Sequence, residues 1–175
     1  MKKFTDLLSE MLETFTISLA IFLVIYAFLA FPEIVVGASM EPTLKNGERL
    51  LVERVSPRFN KLKRGDVVIF NPPGNNSIDY VKRIVGLPGE TLKIVDCKVY
   101  LGGTETISEP YLNKDECTKG NTDELISIPT DAFYVLGDNR SQSADSRIFG
   151  PLAKDRIGGK VMARFWPFSK MTFFN

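Results

Sequence analysis

Tyr80-Val81-Lys82-Arg83-Ile84-Val85-Gly86-Leu87-Pro88-Gly89-Glu90 reads as a β-branched strand that ends in a Pro-Gly turn, and it sets the fold class for most of the chain. Runs of the same kind lie on either side: Glu48 to Val55, Asp66 to Phe70, Thr91 to Val95, Lys98 to Leu101, Phe133 to Leu136 and Ile157 to Phe165. Between them stand Pro72-Pro73-Gly74-Asn75-Asn76, Gly102-Gly103 and Gly137-Asp138-Asn139, all turn chemistry. No long 3.6-residue stripe competes after Pro32. The spacing therefore predicts a mainly β domain over 33–175, its antiparallel sheets coiled into a sandwich or a partly open barrel. The polar stretch 102–131 breaks the pattern and is expected to be an excursion hung on a hairpin.

Two adjacent cations interrupt the 80–90 strand. Alternation puts Tyr80, Lys82 and Ile84 on one face and Val81, Arg83 and Val85 on the other, so one cation is expected to point inward. A lysine acts as a general base only when neutral, and moving its pKa from about 10.4 to 7 corresponds to roughly 4.6 kcal/mol of differential solvation. Burial in an apolar strand is the available means. The plainer alternative is a lysine that snorkels to the strand edge.

The chemistry open to the chain is narrowed by what it lacks. Its 175 residues include no histidine, which removes Ser-His-Asp triads, Cys-His pairs and imidazole metal sites. Lys+Arg number 22 against 21 Asp+Glu, and no phosphate-cradling glycine motif occurs, so nucleic acid and nucleotide are poor ligands for it. Any hydrolysis must activate its nucleophile without imidazole.

Toward the N-terminus, charges stand at Lys2, Lys3, Asp6, Glu10 and Glu13, after which Phe15 to Phe31 form a run of 17 uncharged residues. At about 1.5 Å per residue that run reaches roughly 26 Å, near the low end for a membrane span. The expected organisation is a cytoplasmic segment 1–14, a transmembrane anchor 15–32 and an extracytoplasmic β domain 33–175. A cleavable signal with Val36-Gly37-Ala38 as its cutting site is the competing reading, but the apolar run exceeds the usual length of about 7 to 15. The two cysteines, Cys97 and Cys117, suit an exported domain, where a bridge closes a loop of roughly twenty residues; two unrelated thiols are the alternative.

Two further segments hold candidate chemistry. Gly37-Ala38-Ser39-Met40-Glu41-Pro42-Thr43-Leu44 lies eight residues beyond Phe31, so Ser39 stays within roughly 29 Å of the end of the apolar run. Alone, such a serine is more often a turn residue. Gly137-Asp138-Asn139-Arg140-Ser141-Gln142-Ser143-Ala144-Asp145-Ser146-Arg147-Ile148-Phe149-Gly150 is dense in hydrogen-bonding groups and follows a strand. It is either a solvated loop or a scaffold in which Asp145 pairs with Arg147 and Ser143 reaches a lysine.

Taken in order after an anchor, Ser39-Met40-x-Pro42-Thr43, the Tyr80 to Gly89 run and the Gly137 to Gly150 run resemble the bacterial type I signal peptidases. Arg64-Gly65-Asp66-Val67-Val68 looks like another box of that family, and the resemblance extends from the anchor to about Phe165. It implies a Ser/Lys dyad, with Ser39 as nucleophile and Lys82 as base, then acid, then activator of water. It further implies Ser143 as the serine that orients the lysine and Asp145–Arg147 as the ion pair that holds the loop. The backbone N–H of Ser39 would be one oxyanion donor. Many members carry a serine two residues before the nucleophile, where this chain has Gly37, so a side-chain donor is lost. By the same resemblance, Val35, Met40, Tyr80 and Val81 line small pockets, and the partners are preproteins with signal peptides and the lipid bilayer. A monomer in the bacterial cytoplasmic membrane is expected, its catalytic domain on the outer face, without metal or organic cofactor. Self-cleaving Ser/Lys repressors and a non-enzymatic anchored domain that binds envelope proteins are the alternatives.

Overall fold

A computed structural model of the chain describes residues 2–28, 30–74, 77–113, 116–119 and 124–174. Helix α1 (Lys2–Phe28) comes first, and its 20-residue stretch Thr5–Val24 is long and apolar enough to cross a membrane, with none of it buried against the rest of the chain. The helix begins earlier and ends earlier than the expected anchor 15–32. Ala30, Phe31 and Pro32 belong instead to strand β1 (Ala30–Ile34), opposite Glu53, Val52 and Leu51 of β2 (Arg49–Glu53). Apolar composition hid this change of element. Phe31 packs onto the β core, and Pro32 is tolerated because β1 is the last strand of its sheet, where a missing N–H breaks no ladder.

A four-residue helix α2 (Val55–Arg58) leads to β3 (Val67–Phe70) and β4 (Tyr80–Gly86). The hairpin β5 (Thr91–Val95) and β6 (Lys98–Leu101) follows, then two-residue strands β7 (Glu105–Thr106) and β8 (Ile126–Ser127). The chain closes with β9 (Ala132–Leu136), the short helix α3 (Ser146–Phe149), β10 (Leu152–Ala153), β11 (Ile157–Trp166) and β12 (Thr172–Phe173). The main sheet runs β1-β2-β11-β3-β4-β9-β10 with β12 on β11, and a smaller sheet runs β7-β6-β5-β8, every pairing antiparallel. All seven strands expected from periodicity are present. The excursion 102–131 is less separate than expected, since β7 and β8 flank the β5–β6 hairpin on both sides. Its residues 114–115 and 120–123, and Asn75 and Asn76 of the expected turn, lie outside the described residues.

The main sheet curls: three strands separate β1 from β4, yet both line one cleft. Curling gives β3 two apolar faces, which is why Val67-Val68-Ile69-Phe70 has no polar residue. Val67 and Ile69 join Leu50, Val52 and Val161 beneath the loop carrying Met40 and Leu44. Val68 and Phe70 join Ile84, Val135 and Leu152 on the other side. A third cluster, including Val85, Leu92, Val99 and Leu136, joins the small sheet to the large one.

Candidate active site

Ser39 lies on the loop that follows β1, held from below by Met40 and Leu44, both buried in the core. The loop leaves the sheet through Gly37, whose φ of +94° is in the left-handed region that favours glycine. The amide hydrogen of Gly37 is committed to Asn46 Oδ1 at 3.0 Å. Gly37 is therefore not brought to the site as a donor. From the other side, Asn139 fastens the loop: its N–H donates to Ser39 O at 3.0 Å and its Nδ2 to Ala38 O at 3.1 Å.

Strand β4 delivers Lys82 to this loop. Its Nζ lies 2.8 Å from Ser39 Oγ and donates to Val81 O at 2.9 Å, and the residue is only 3% exposed. Nζ also lies 5.1 Å from the centre of the Tyr80 ring. Burial lowers the lysine pKa to about 8, against an opposing pull from the Asp145 and Asp138 carboxylates that favour the ammonium. A neutral fraction far above that of an exposed lysine is thus within reach of a serine hydroxyl.

Alternation led to the expectation that one of the two cations on β4 turns inward; both are buried. Arg83 grips Asp138 with Nε–Oδ1 at 2.9 Å and Nη2–Oδ2 at 2.6 Å, donates to Gly65 O, and stacks 4.0 Å from the Tyr111 ring. Sequence reasoning missed Asp138 as a partner, because a pair 55 positions apart leaves no local signal.

The expected pair of Asp145 and Arg147 forms, with Arg147 Nε on Oδ1 and Nη2 on Oδ2, both at 2.8 Å. Asp145 also caps α3 and accepts from Gly137 N at 3.0 Å. Burial pushes its carboxyl up, but hydrogen bonds from Arg147 and Gly137 and the guanidinium charge outweigh that and hold it below the usual range. Ser143 differs from expectation: its Oγ is buried and no hydrogen bond joins it to Lys82. It packs against Gly137, where an added Cβ would meet Ser143 Oγ at 2.2 Å and Ser39 O at 2.5 Å.

A cleft of about 570 Å³ opens beside Ser39 and Lys82. All four expected pocket residues, Val35, Met40, Tyr80 and Val81, line it together with Ser39 and Lys82. Two backbone edges face it. Among the described residues β1 has β2 as its sole ladder partner, and Tyr80 to Lys82 pair with β3 while β9 begins only at Arg83. Cys97 and Cys117 are joined in a disulfide.

The family model described as signal peptidase, peptidase S26, matches residues 8–166. The chain is 40% identical over 178 residues to signal peptidase I T of Bacillus subtilis (strain 168), covering 97% of this chain and 91% of that protein. It is 35% identical over 182 residues to signal peptidase IB of Staphylococcus aureus (strain MRSA252), covering 95% and 93%. A crystal structure of a signal peptidase I from Enterococcus faecalis V583 aligns at 32% identity and a TM-score of 0.48, over 57% of this chain and 96% of that one. The family match and both sequence relatives span the helix and the segments that hold Ser39 and Lys82, which sets aside a non-enzymatic binding domain. This chain belongs to the signal peptidase family of S26 peptidases, serine endopeptidases that remove signal peptides.

Proposed function

We propose that Ser39 and Lys82 are the catalytic dyad by which this enzyme cuts exported preproteins, after a small residue, on the outer face of the cytoplasmic membrane. The observation that carries the reading is the 2.8 Å approach of a desolvated Lys82 Nζ to Ser39 Oγ. Neutral Lys82 takes the Ser39 proton as Oγ attacks the scissile carbonyl, then gives a proton to the leaving amine. Once the amine departs, Lys82 draws a proton from water, which hydrolyses the acyl-serine. The backbone N–H of Ser39 is directed to the oxyanion. Asp145 and Arg147 hold the loop and take no proton in the reaction.

The cleft edges suggest how substrate binds. An extended segment between β1 and Tyr80 to Lys82 would satisfy backbone groups on both sides. In such a strand alternate residues face one wall, so the first and third positions before the cut both meet Val35, Met40, Tyr80 and Val81. Small side chains at those two positions are what a secretory cutting site offers. α1 leads almost directly into β1, which would keep the cleft near a bilayer crossed by that helix. Lys2 and Lys3 favour an N-terminus on the cytoplasmic side.

The test is cleavage of a purified preprotein by the detergent-solubilised full chain, with the cut located by intact mass. Ser39→Ala and Lys82→Ala should each abolish cleavage while the fold survives. Persistence of the cut in either variant overturns the dyad.

A further inference from the structure

The disulfide-bearing segment between β6 and β9 has no part in the chemistry, yet it makes a dense set of polar contacts to the loop that supports Ser39. The Arg140 side chain is fully buried. Its Nη1 donates to Glu109 Oε2 at 3.1 Å and to Thr118 Oγ1, and its Nη2 pairs with Glu109 Oε1. Its Nε donates to Gly137 O at 3.0 Å. Glu109 and Thr118 both come from the excursion, and Thr118 follows Cys117, its own N–H directed to Cys97 O at 3.3 Å. The bridge therefore fixes where Thr118 stands.

The contacts continue toward the dyad. Gly137, next to the Arg140 contact, presses against Ser143 and Ser39 O, and Asn139 donates to Ser39 O and Ala38 O. Glu116 reinforces the same join by accepting from Ser141 N at 2.8 Å. A buried guanidinium with fixed donors transmits position well, because leaving any of its N–H groups without an acceptor is costly.

We propose that Glu109, Thr118 and the Cys97–Cys117 bridge form a clasp that grips Arg140 and thereby positions the Ser39 backbone against Lys82. Arg140, Glu109 and Thr118 are positioning residues for the reaction. This inference rests on the dyad reading, and the controls separate the two. Ser39→Ala must be inactive for the dyad to hold, whatever the clasp variants do.

The experiment compares wild type, Thr118→Val, Glu109→Gln and the double variant Cys97→Ser/Cys117→Ser, all as full chains in detergent, for kcat, KM, pH profile and thermal melting. With the clasp loosened, kcat falls about tenfold with KM nearly unchanged, the scale expected when a nucleophile is misplaced by a fraction of an ångström. Water reaching Lys82 returns its pKa toward the ordinary value, so the acid limb moves to higher pH. Thr118→Ser, which keeps the hydroxyl, restores kcat. Unchanged kcat per folded molecule and an unmoved acid limb in Thr118→Val and Glu109→Gln overturn the proposal, even if melting temperatures drop. Should the double cysteine variant fail to fold, those two single variants decide alone.

Discussion

Arg83 holds both carboxylate oxygens of Asp138, at 2.9 and 2.6 Å, one residue along the strand from Lys82. Neighbouring cations on one strand are thus given opposite fates. Arg83 is neutralised by a partner, whereas Lys82 is desolvated and, among the described residues, has no carboxylate hydrogen-bonded to it.

That contrast predicts the pH profile. With the Lys82 pKa near 8, kcat/KM should rise with pH through about 8, rather than near the ordinary lysine value of 10.5. Lys82→Arg should be inactive, since guanidinium stays charged. A pH series of initial rates on a soluble preprotein checks both; an acid limb near 10 would contradict the desolvated base.

The same shift implies a stability cost. Below pH 8 the ammonium is charged in both states and its burial destabilises the fold; between 8 and 10.5 the unfolded chain binds the proton more tightly, so the penalty fades as pH rises. A shift of this size corresponds to about 3 kcal/mol. Lys82→Met should accordingly gain about 2 kcal/mol at pH 7, after loss of the bond to Val81 O, while losing all cleavage. Denaturant midpoints at pH 7 and pH 10 give the comparison, and the gain should shrink at the higher pH.

Gly137→Ala tests the close packing under the nucleophile. The new methyl would stand 2.5 Å from Ser39 O, which is backbone and cannot rotate away. Overpacking of this kind costs about 1–3 kcal/mol, and activity should fall by about a hundredfold if Ser39 is the proposed nucleophile, because its own backbone is displaced. Melting and kcat measured together report both effects.

Asp145→Asn should lose about 3 kcal/mol at neutral pH by leaving Arg147 without its buried partner. The native carboxyl is held below the ordinary aspartate value of 3.8, so its contribution is fully present above about pH 4 and is lost as pH falls through the folded value. The gap between variant and wild type should therefore close in acid. A gap that does not narrow at all as acid protonates the carboxyl would show that the carboxylate charge is not its source.

Breaking the Arg83–Asp138 pair from one side should also be severe. Asp138→Asn is expected to destabilise by about 3–5 kcal/mol, and Arg83→Met/Asp138→Leu by less than the two single changes added together. Chemical denaturation of the four proteins completes the cycle.

Much of this molecule could be read along the chain. Period-2 runs located seven strands because each has to place alternate side chains on a buried face, and turn residues marked where each run stops. Lys82 stood out since a cation inside an apolar run has to be explained, and Ser39, Asp145 and Arg147 followed from motif order. Local pattern failed where composition was ambiguous or the partner remote. Ala30 to Pro32 look like the end of a membrane helix, and only pairing with β2 makes them strand. Ser143 looked like a partner for Lys82, and packing against Gly137 left its hydroxyl without that bond. The pairing of Arg83 with Asp138, and of Arg140 with Glu109 and Thr118, depended on which segments the curled sheet brings together. The sequence alone determined which stretches must be strands and which chemistries the absence of histidine removes, because those follow from backbone periodicity and side-chain chemistry. The tertiary structure decided which cation is neutralised and which is only desolvated, because the energy of a buried charge depends on partners contributed by distant parts of the chain.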